Sequence, residues 1–586
     1  MKKDLVISSL LVNNVPFMEN DDPTRLQMAV NQQKQVKECI YKETPYIMSG
    51  FETYFPKFTS MYVKSDIKGK VKYIDRYCIV IENKEGSSLK FLKDGYNIKV
   101  KVGDSVKKDQ TIAYEDECMS FGLNLLTVIM PFYGMNYEDA ITVNSEVAKK
   151  FTHEEVVKEV IEVPKDSILL SLDGKNSYKP FLNIGDRIKK GDPLVTLKNA
   201  DGNNTYSILN RPKDVSSKVS GTISEISIYI NRWNSDVRVY DMFITDMLNN
   251  KKKLRDELLN KIEKFEDWQK KFIIFKNHGI LDKYKFKNQT IDILISYKIK
   301  SQYPLDPGDK LSNRHGNKGV ISMISDKLPI IKELDRMADI VINPLGIISR
   351  MNPGQLYELT DGMNVYKIRS YAYKMNTSDL RKLIRKCLNL IDLTYNKWYS
   401  KQEGSFINSL SDEDFHKYVS NFSLLAPPFE SPKYKNIVDL CNLLGTKCEY
   451  DIYEQFSKKT IKNIGVGFQY WNKLIHLSRI KLSARSLASY SKKMMQPAAG
   501  RKIKGGQRFG EMEVWALIAH NCPNLLKEFL IMHSDGFKSK MEYIENLVQY
   551  GTEKTPKNQE STIAEMLRTY FKAMGFRLKR KAIKKD

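Results

Sequence analysis

The chain has 586 residues, of which 94 are Lys or Arg and 70 are Asp or Glu, so it carries a formal net charge of +24. That length leads us to expect three or four structural units, and the charge points to a polyanionic partner, nucleic acid foremost, with membrane-surface or ribosome association also compatible. There is no run of eighteen apolar residues to span a membrane, no secretory cleavage site after "MKKDLVISSLLVNNVPF", and no CxxC pair among seven scattered cysteines; the expectation is a cytoplasmic chain with reduced thiols and no structural zinc.

In chain order, a polar helical opening, "NDDPTRLQMAVNQQKQVKE", gives way to strand-like runs such as "YVKSDIKGKVKYIDRYCIVIEN". Two stretches then rhyme, "VKVGDSVKKDQTIAY" at 100–114 and "LNIGDRIKKGDPLVTL" at 182–197. Each reads strand, GD turn, basic turn, strand, and predicts a β-hairpin within a small barrel or sandwich module. Between them, "MPFYGMNYEDAITVNSE" sets Glu138 beside Asp139. Adjacent carboxylates can steady a metal-bound phosphate, and they can equally cap a helix or pair with lysines. From Lys251 to Phe275, Leu254, Leu258, Ile262, Phe265 and Trp268 form one helical stripe.

Strands and glycine loops return at 290–350 with "GDKLSNRHGNKGVIS", Gly308 to Ser322. So many cations on one flexible loop bury badly without an anion, and phosphate is the natural one. Lys310 and Lys318 stand eight residues apart, and the GxxxxGK[ST] pattern of a nucleoside-triphosphatase loop is absent. Arg350, in "DIVINPLGIISRMNPGQLYEL", sits in a turn between an apolar strand and a helix, where its planar fork suits phosphate. Residues 375–465 read as helical and polar, with Asp412 and Asp414 of "SLSDEDF" better placed as a helix N-terminus than as a metal pair. "GGQRFGEMEVWALIAHN" resembles a docking platform. Thr562 and Glu565 then open a final amphipathic helix that Gly575 ends, followed by the basic tail "RLKRKAIKKD".

Taken together and in this order, "GMNYEDAI", "GDKLSNRHGNKGVIS", "NPLGIISRMNPGQ" and "GGQRFGEMEVWAL" resemble signature segments of the beta subunit of bacterial-type multisubunit DNA-directed RNA polymerase. "VPFMENDDPTRLQMAVNQQKQ" is similar to that subunit's mid-chain segment, and "SSKVSGTISEISIYI" to its flap. The resemblance implies the C-terminal half of a split beta subunit of the kind encoded by large bacteriophages, acting in the host cytoplasm or packaged in the virion. It implies a mixed α/β multi-domain fold. Residues 1–149 would be the first part of a hybrid-binding region, and 150–293 a flap-like β-rich insertion. Residues 294–487 would hold a double-psi β-barrel, built from about 294–365 and 465–487, with a helical insertion at about 366–464; residues 488–586 would form a helical clamp segment.

The same resemblance gives roles. Lys310 and Lys318 would neutralise phosphate charge at the RNA 3′ end, with Glu138 and Asp139 near the metal site and Asp139 one shell out from the ion. Arg25 and Arg350 would reach the triphosphate, Asn31 and Gln35 the transcript, and Arg314 and His315 would belong to the nucleotide- and RNA-binding set. Magnesium is expected, with its principal ligands on a beta-prime chain, since no "NADFDGD" segment occurs here. Expected partners are the N-terminal beta half, beta-prime, template DNA, RNA, nucleoside triphosphates and a promoter-specificity factor, with no membrane. Two departures stand out. Ser483 occupies a position where histidine is usual, and Ser312–Asn313 one where small residues are usual. A polymerase-derived scaffold that binds nucleic acid without catalysis is the alternative; a self-sufficient nuclease or single-subunit polymerase would need clustered acids, which the sequence lacks.

Overall fold

The computed structural model describes residues 9, 11–58, 61–75, 78–83, 86–92, 96–114, 118–164, 167–172, 181–183, 185–199, 212–230, 291–392, 407, 409–486, 488–491, 496–551 and 562–578. The helix expected at 251–275 lies outside them. Two units are present, Met1–Ser478 and Arg479–Asp586, so the division falls ahead of the expected boundary at 488.

A strand whose apolar residues run without alternation must be covered on both faces, and Leu123–Ile129 (β1, "LNLLTVI") is buried along nearly its whole length. Leu123 and Leu125 share one core with Trp471, while Leu126 and Val128 share another with Met363 and Phe468. Around β1 run Ala140–Asn144 (β2), the hairpin Lys310–Asn313 (β3) and Lys318–Ser325 (β4), Ile340–Ile342 (β5) and the long Lys459–Lys473 (β6). Their pairings, in the order β3, β4, β2, β5, β1, β6 and back to β3, close a ring of six strands. The β2–β4 and β1–β5 pairs are parallel and the rest antiparallel. Closure removes the sheet edges within the ring. Inside lie Leu123, Leu125, Ile141, Val143, Leu311, Ile321, Ile340, Ile342 and Trp471, and the indole Nε1 of Trp471 donates to Thr127 Oγ1 at 3.2 Å. Two of the six strands thus come from 123–144, outside the segments expected to build a barrel.

The helix Gly354–Tyr371 (α2) crosses the outer face of β6, where Tyr366 stacks on Phe468 with ring centroids 4.6 Å apart. The approach is close enough that a Cβ on Gly362 would stand 2.2 Å from the Phe468 carbonyl oxygen, and one on Gly467 would stand 2.0 Å from that of Leu359. Beyond α2, the helices Thr377–Asp392, Asp412–Ser420 and Tyr434–Leu444 bury Leu380, Ile384, Phe415, Ile437 and Leu440 with Phe17 from the N-terminal segment. Ser411 caps the second of these through the N–H of Asp414, as a helix N-terminus should. The strand Glu449–Glu454 and the first part of β6 lie where the expected helical insertion was to extend to 464.

The rhyming segments are not hairpins. Ser105–Val106 pairs with Gly69–Asp75, whereas Thr111–Tyr114 pairs with Tyr62–Lys64 and Asn97–Ile98 in a different sheet. In the same way Arg187–Ile188 joins Gly221–Ile230, and Pro193–Asn199 joins Ser167–Leu170 and Lys213–Ser216. Each basic turn therefore carries the chain from one sheet to the next, over cores that hold Val71, Ile79, Val106 and Ile112 in one case and Ile188, Leu194, Ile223 and Tyr297 in the other. What does repeat is the turn. Asp104, Asp186, Asp192 and Asp309 each follow a glycine at φ +97°, +96°, +99° or +89°, and each accepts the N–H three residues back at 2.8–3.1 Å.

The described residues of the second unit include the helices Glu511–Ala519, Pro523–Leu530, Phe537–Tyr550 and Thr562–Ala573. Among its described residues Met532 is the one buried large apolar side chain, while Met512, Trp515, Ile518, Leu567 and Tyr570 are exposed.

The contact between α2 and β6 yields a stability test. Gly362→Ala forces the helix off the strand, an overpacking that costs roughly 1–3 kcal/mol; we expect a lower thermal midpoint and faster proteolysis of the Met1–Ser478 unit. Alanine at Gly445, where no atom lies within 4 Å of the added Cβ, serves as the control for strain at a left-handed residue alone.

Candidate functional site

In the β3–β4 hairpin Lys310 lies opposite Val320, and Ser312 opposite Lys318. Cross-strand partners share a face, so Lys310 and Lys318 are diagonal neighbours on one side, roughly 7–8 Å apart at the backbone. The other side carries Leu311 and Ile321 into the ring's core, so the lysines are turned away from it. Both are partly exposed, and no acidic side chain among the described residues pairs with Lys310. The turn before β3 is tied down by Asp309, whose Oδ1 accepts from the Ser478 N–H at 2.8 Å and whose Oδ2 accepts from the Asp306 N–H at 3.1 Å.

Asp139, at the mouth of β2, is held beside this hairpin because its carbonyl accepts the Val320 N–H at 2.8 Å. Its carboxylate pairs with Nη2 of Arg350, while Nη1 of Arg350 donates to Asn317 Oδ1 at 2.9 Å. Glu138 is exposed, at φ +51°. Arg25 stands in the first turn of Pro23–Gln33 (α1), which Asp22 caps by accepting the N–H groups of Thr24 at 3.0 Å and Arg25 at 3.3 Å. Burial, then the nearby Arg350 guanidinium, lower the pKa of Arg25 against the opposing pull of Asp139 and Asp22, which marks these groups as one electrostatic cluster. Helix α1 lies directly on the loop between β3 and β4. Gln32 Nε2 donates to the Gly316 carbonyl at 3.2 Å, and a Cβ on Gly316, at φ +78°, would stand 2.5 Å from the Arg25 carbonyl oxygen. Further along, Asn31 is exposed, and Gln35 Oε1 faces His476 Nε2 at 2.8 Å.

Arg314 and His315 are placed otherwise. They are 3% and 0% exposed and engaged by carboxylates inside the protein. Arg314 Nη1 donates to the Ile47 carbonyl at 2.8 Å and faces Glu52 at 3.5 Å; its Nη2 pairs with Glu358. His315 Nδ1 faces Asp21 Oδ2 at 2.6 Å, and Nε2 faces Glu358 Oε2 at 2.7 Å. Burial pushes Glu358 upward, but Arg314 and His315 outweigh it and hold the carboxyl at about 2. At Glu52 burial prevails over Arg314 and Ser49, and its pKa is raised. Asn313, at the position where a small residue is usual, builds the loop: its Oδ1 accepts the N–H groups of His315 and Asn317, each at 3.0 Å, and its Nδ2 donates to Gln355 at 3.0 Å. In the second unit Ser483 Oγ accepts from Gln507 Nε2 at 2.9 Å.

Lys310, Lys318, Arg350 and Arg25 thus stand on elements joined by hydrogen bonds, with Glu138 and Asp139 at the edge, an array suited to polyphosphate. Among the described residues no three acidic, His or Cys groups assemble into a metal cage. Asp21, Glu52 and Glu358 escaped sequence reasoning, since an acid on an ordinary helix or turn carries no mark of burial; their one signal was the excess of cations in "NRHGNKG", which needed internal partners.

Removing one member of a buried pair strands the other. Glu358→Gln leaves Arg314 and His315 short of an anion and should cost roughly 3–5 kcal/mol, whereas Asp139→Asn, which breaks a partly exposed pair, should cost about 1 kcal/mol or less. Denaturant unfolding of the two variants checks the order.

Comparison with known proteins identifies the family. Residues 12–503 match the family model described as RNA polymerase Rpb2, domain 6, and residues 505–582 match RNA polymerase Rpb2, domain 7. The chain is similar to DNA-directed RNA polymerase subunit beta of Ehrlichia canis (strain Jake), 27% identical over 676 aligned residues that cover 93% of this chain and 48% of that protein. It is similar to the same subunit of Rickettsia prowazekii (strain Madrid E), 27% identical over 678 residues with the same two shares. It spans about half the length of the curated relatives it matches. With matches over nearly its whole length, the chain belongs to the Rpb2 family of RNA polymerase subunits and carries that family's domains 6 and 7.

Proposed function

We propose that the chain serves as the C-terminal part of the beta subunit in a multisubunit DNA-directed RNA polymerase, working in the cytoplasm on template DNA, nascent RNA and nucleoside triphosphates. The observation that carries this reading is the pair Lys310 and Lys318 on one outward face of a hairpin, within a family of RNA polymerase subunits. Nucleotidyl transfer loads negative charge onto a phosphorus under attack, and fixed cations beside it stabilise that charge more than they stabilise the ground state. Lys310 and Lys318, on a short hairpin locked into a closed ring, meet the need for fixed placement. Arg350 and Arg25 hold the triphosphate, and Asn31 and Gln35 lie toward the transcript. Arg314 and His315 act through the loop they anchor. In this reading the six-stranded ring is a double-psi β-barrel, residues 150–293 act as a flap, and the second unit as a clamp segment whose exposed Trp515 and Leu567 dock on beta-prime. Magnesium would be held mainly by beta-prime and would supply positive charge for the attacking 3′ hydroxyl and the leaving pyrophosphate, with Asp139 of this chain near that site.

The test is nucleotide addition on a primed scaffold by the complex assembled with its partner chains. Lys310→Ala and Lys318→Ala should assemble normally and slow addition by roughly 10²- to 10³-fold, the cost of one preorganised charge donor. The chain alone should make no RNA. Unchanged rates in both variants would return the lysines to a structural role, and an inactive wild-type complex that still binds nucleic acid would favour the scaffold reading.

A further inference from the structure

His315 poses a problem of proton count. Both ring nitrogens face carboxylate oxygens, at 2.6 Å and 2.7 Å, and the ring has no exposed surface. A neutral imidazole has one N–H, so one of those contacts would set a lone pair against an anion; the imidazolium alone donates to both. The two acids belong to different elements. Glu358 is on α2, while Asp21 immediately precedes Asp22, the cap of α1, and its Oδ1 accepts the N–H of Gly354 at 2.8 Å. We propose that His315 is a positioning residue that remains protonated at neutral pH and, through Asp21, clamps the start of α1 so that Arg25 stays beside the Lys310–Lys318 hairpin. The functional half rests on the reading of Arg25 as a triphosphate ligand.

Electrostatics favour the charged ring. Burial would lower its pKa, but Asp21 and Glu358 reverse this and raise it to about 9. The charged groups around it are Asp21 from the segment ahead of α1, Glu358 from α2, and Arg314 on its own loop, which shares Glu358 and reaches Glu52. A group whose folded pKa lies above its unfolded value contributes fully below the unfolded value, near 6.5, and that contribution is lost as pH rises through about 9. The clamp should therefore hold at neutral pH and open in alkali.

Two readouts test this. In the isolated chain, two-bond proton–nitrogen spectra of the imidazoles, with His315→Gln as the assignment control, should find both His315 nitrogens protonated at about pH 8. Amides of α1 should exchange at least tenfold faster in Asp21→Asn, a near-isosteric change, and in His315→Gln if it folds. In the assembled complex, either variant should raise the nucleotide KM about tenfold, equivalent to about 1.4 kcal/mol, with a smaller effect on kcat. The wild-type KM should climb as pH passes about 9, a climb His315→Gln lacks, and in an Arg25→Ala background the variants should add no further rise. A single protonated nitrogen, or unchanged α1 exchange, overturns the clamp. A KM rise that persists in full without Arg25 overturns its functional half. A wild-type complex that adds no nucleotide instead refutes the polymerase reading, and the spectra and exchange data still decide the clamp.

Discussion

The site depends on a set of charges sealed from water. Arg314 and His315 bring two cations below the surface, and Asp21, Glu358 and Glu52 meet them there, all at 7% exposure or less. Such pairs rarely beat an apolar core of equal volume, because desolvation consumes most of the Coulomb gain. Their effect is positional. An apolar contact tolerates sliding, while an arginine fork and an imidazole between two carboxylates accept few geometries. Three distant stretches, 21–52, 313–317 and 352–358, are thereby fixed to one another, and the partly exposed Lys310, Lys318, Arg350 and Arg25 stand on or beside those stretches.

Much of the frame could be read from residue order, because it rests on local rules. The Asp22–Pro23 start of α1 and the Ser411 cap announce themselves within a few residues. The network could not be read in this way. In "GDKLSNRHGNKG" four cations look alike, and residue types alone send all of them toward an external anion. Half of them turn inward, since their counterions come from far along the chain: Asp21 is 294 positions from His315, and Glu52 is 262 from Arg314. Nothing within the motif separates Arg314 from Lys318. Only the strand register does so, by turning Lys310 and Lys318 to the face opposite Leu311 and Ile321.

The paired GD segments show another limit. Alternation and turn chemistry identified strands and turns at 100–114 and 182–197, yet they cannot say which strand pairs with which, because pairing is decided by what lies across the core. The backward bond from each aspartate to the N–H three residues earlier fixes the direction in which the chain leaves the turn. In the first two modules the next strand then finds its partner in another sheet. At Asp309 the same turn delivers the chain into a true hairpin, because β6 and β4 offer edges on both sides of β3. One local device thus serves two tertiary outcomes.

Exposure finally separates the two sorts of cation more sharply than residue type does. The Arg350–Asp139 pair sits where the side chains are 16% and 51% exposed; water screens it, and parting the two charges costs little. The Arg314–Glu358 pair, at 3% and 2%, offers no such exchange, since any ligand would have to strip a buried ion of its partner. A net charge of +24 therefore overstates what the protein can present to a polyanion at this site. The cations available there are those that keep part of their side chain at the surface, and the buried ones act by keeping the loop beneath them in a single conformation.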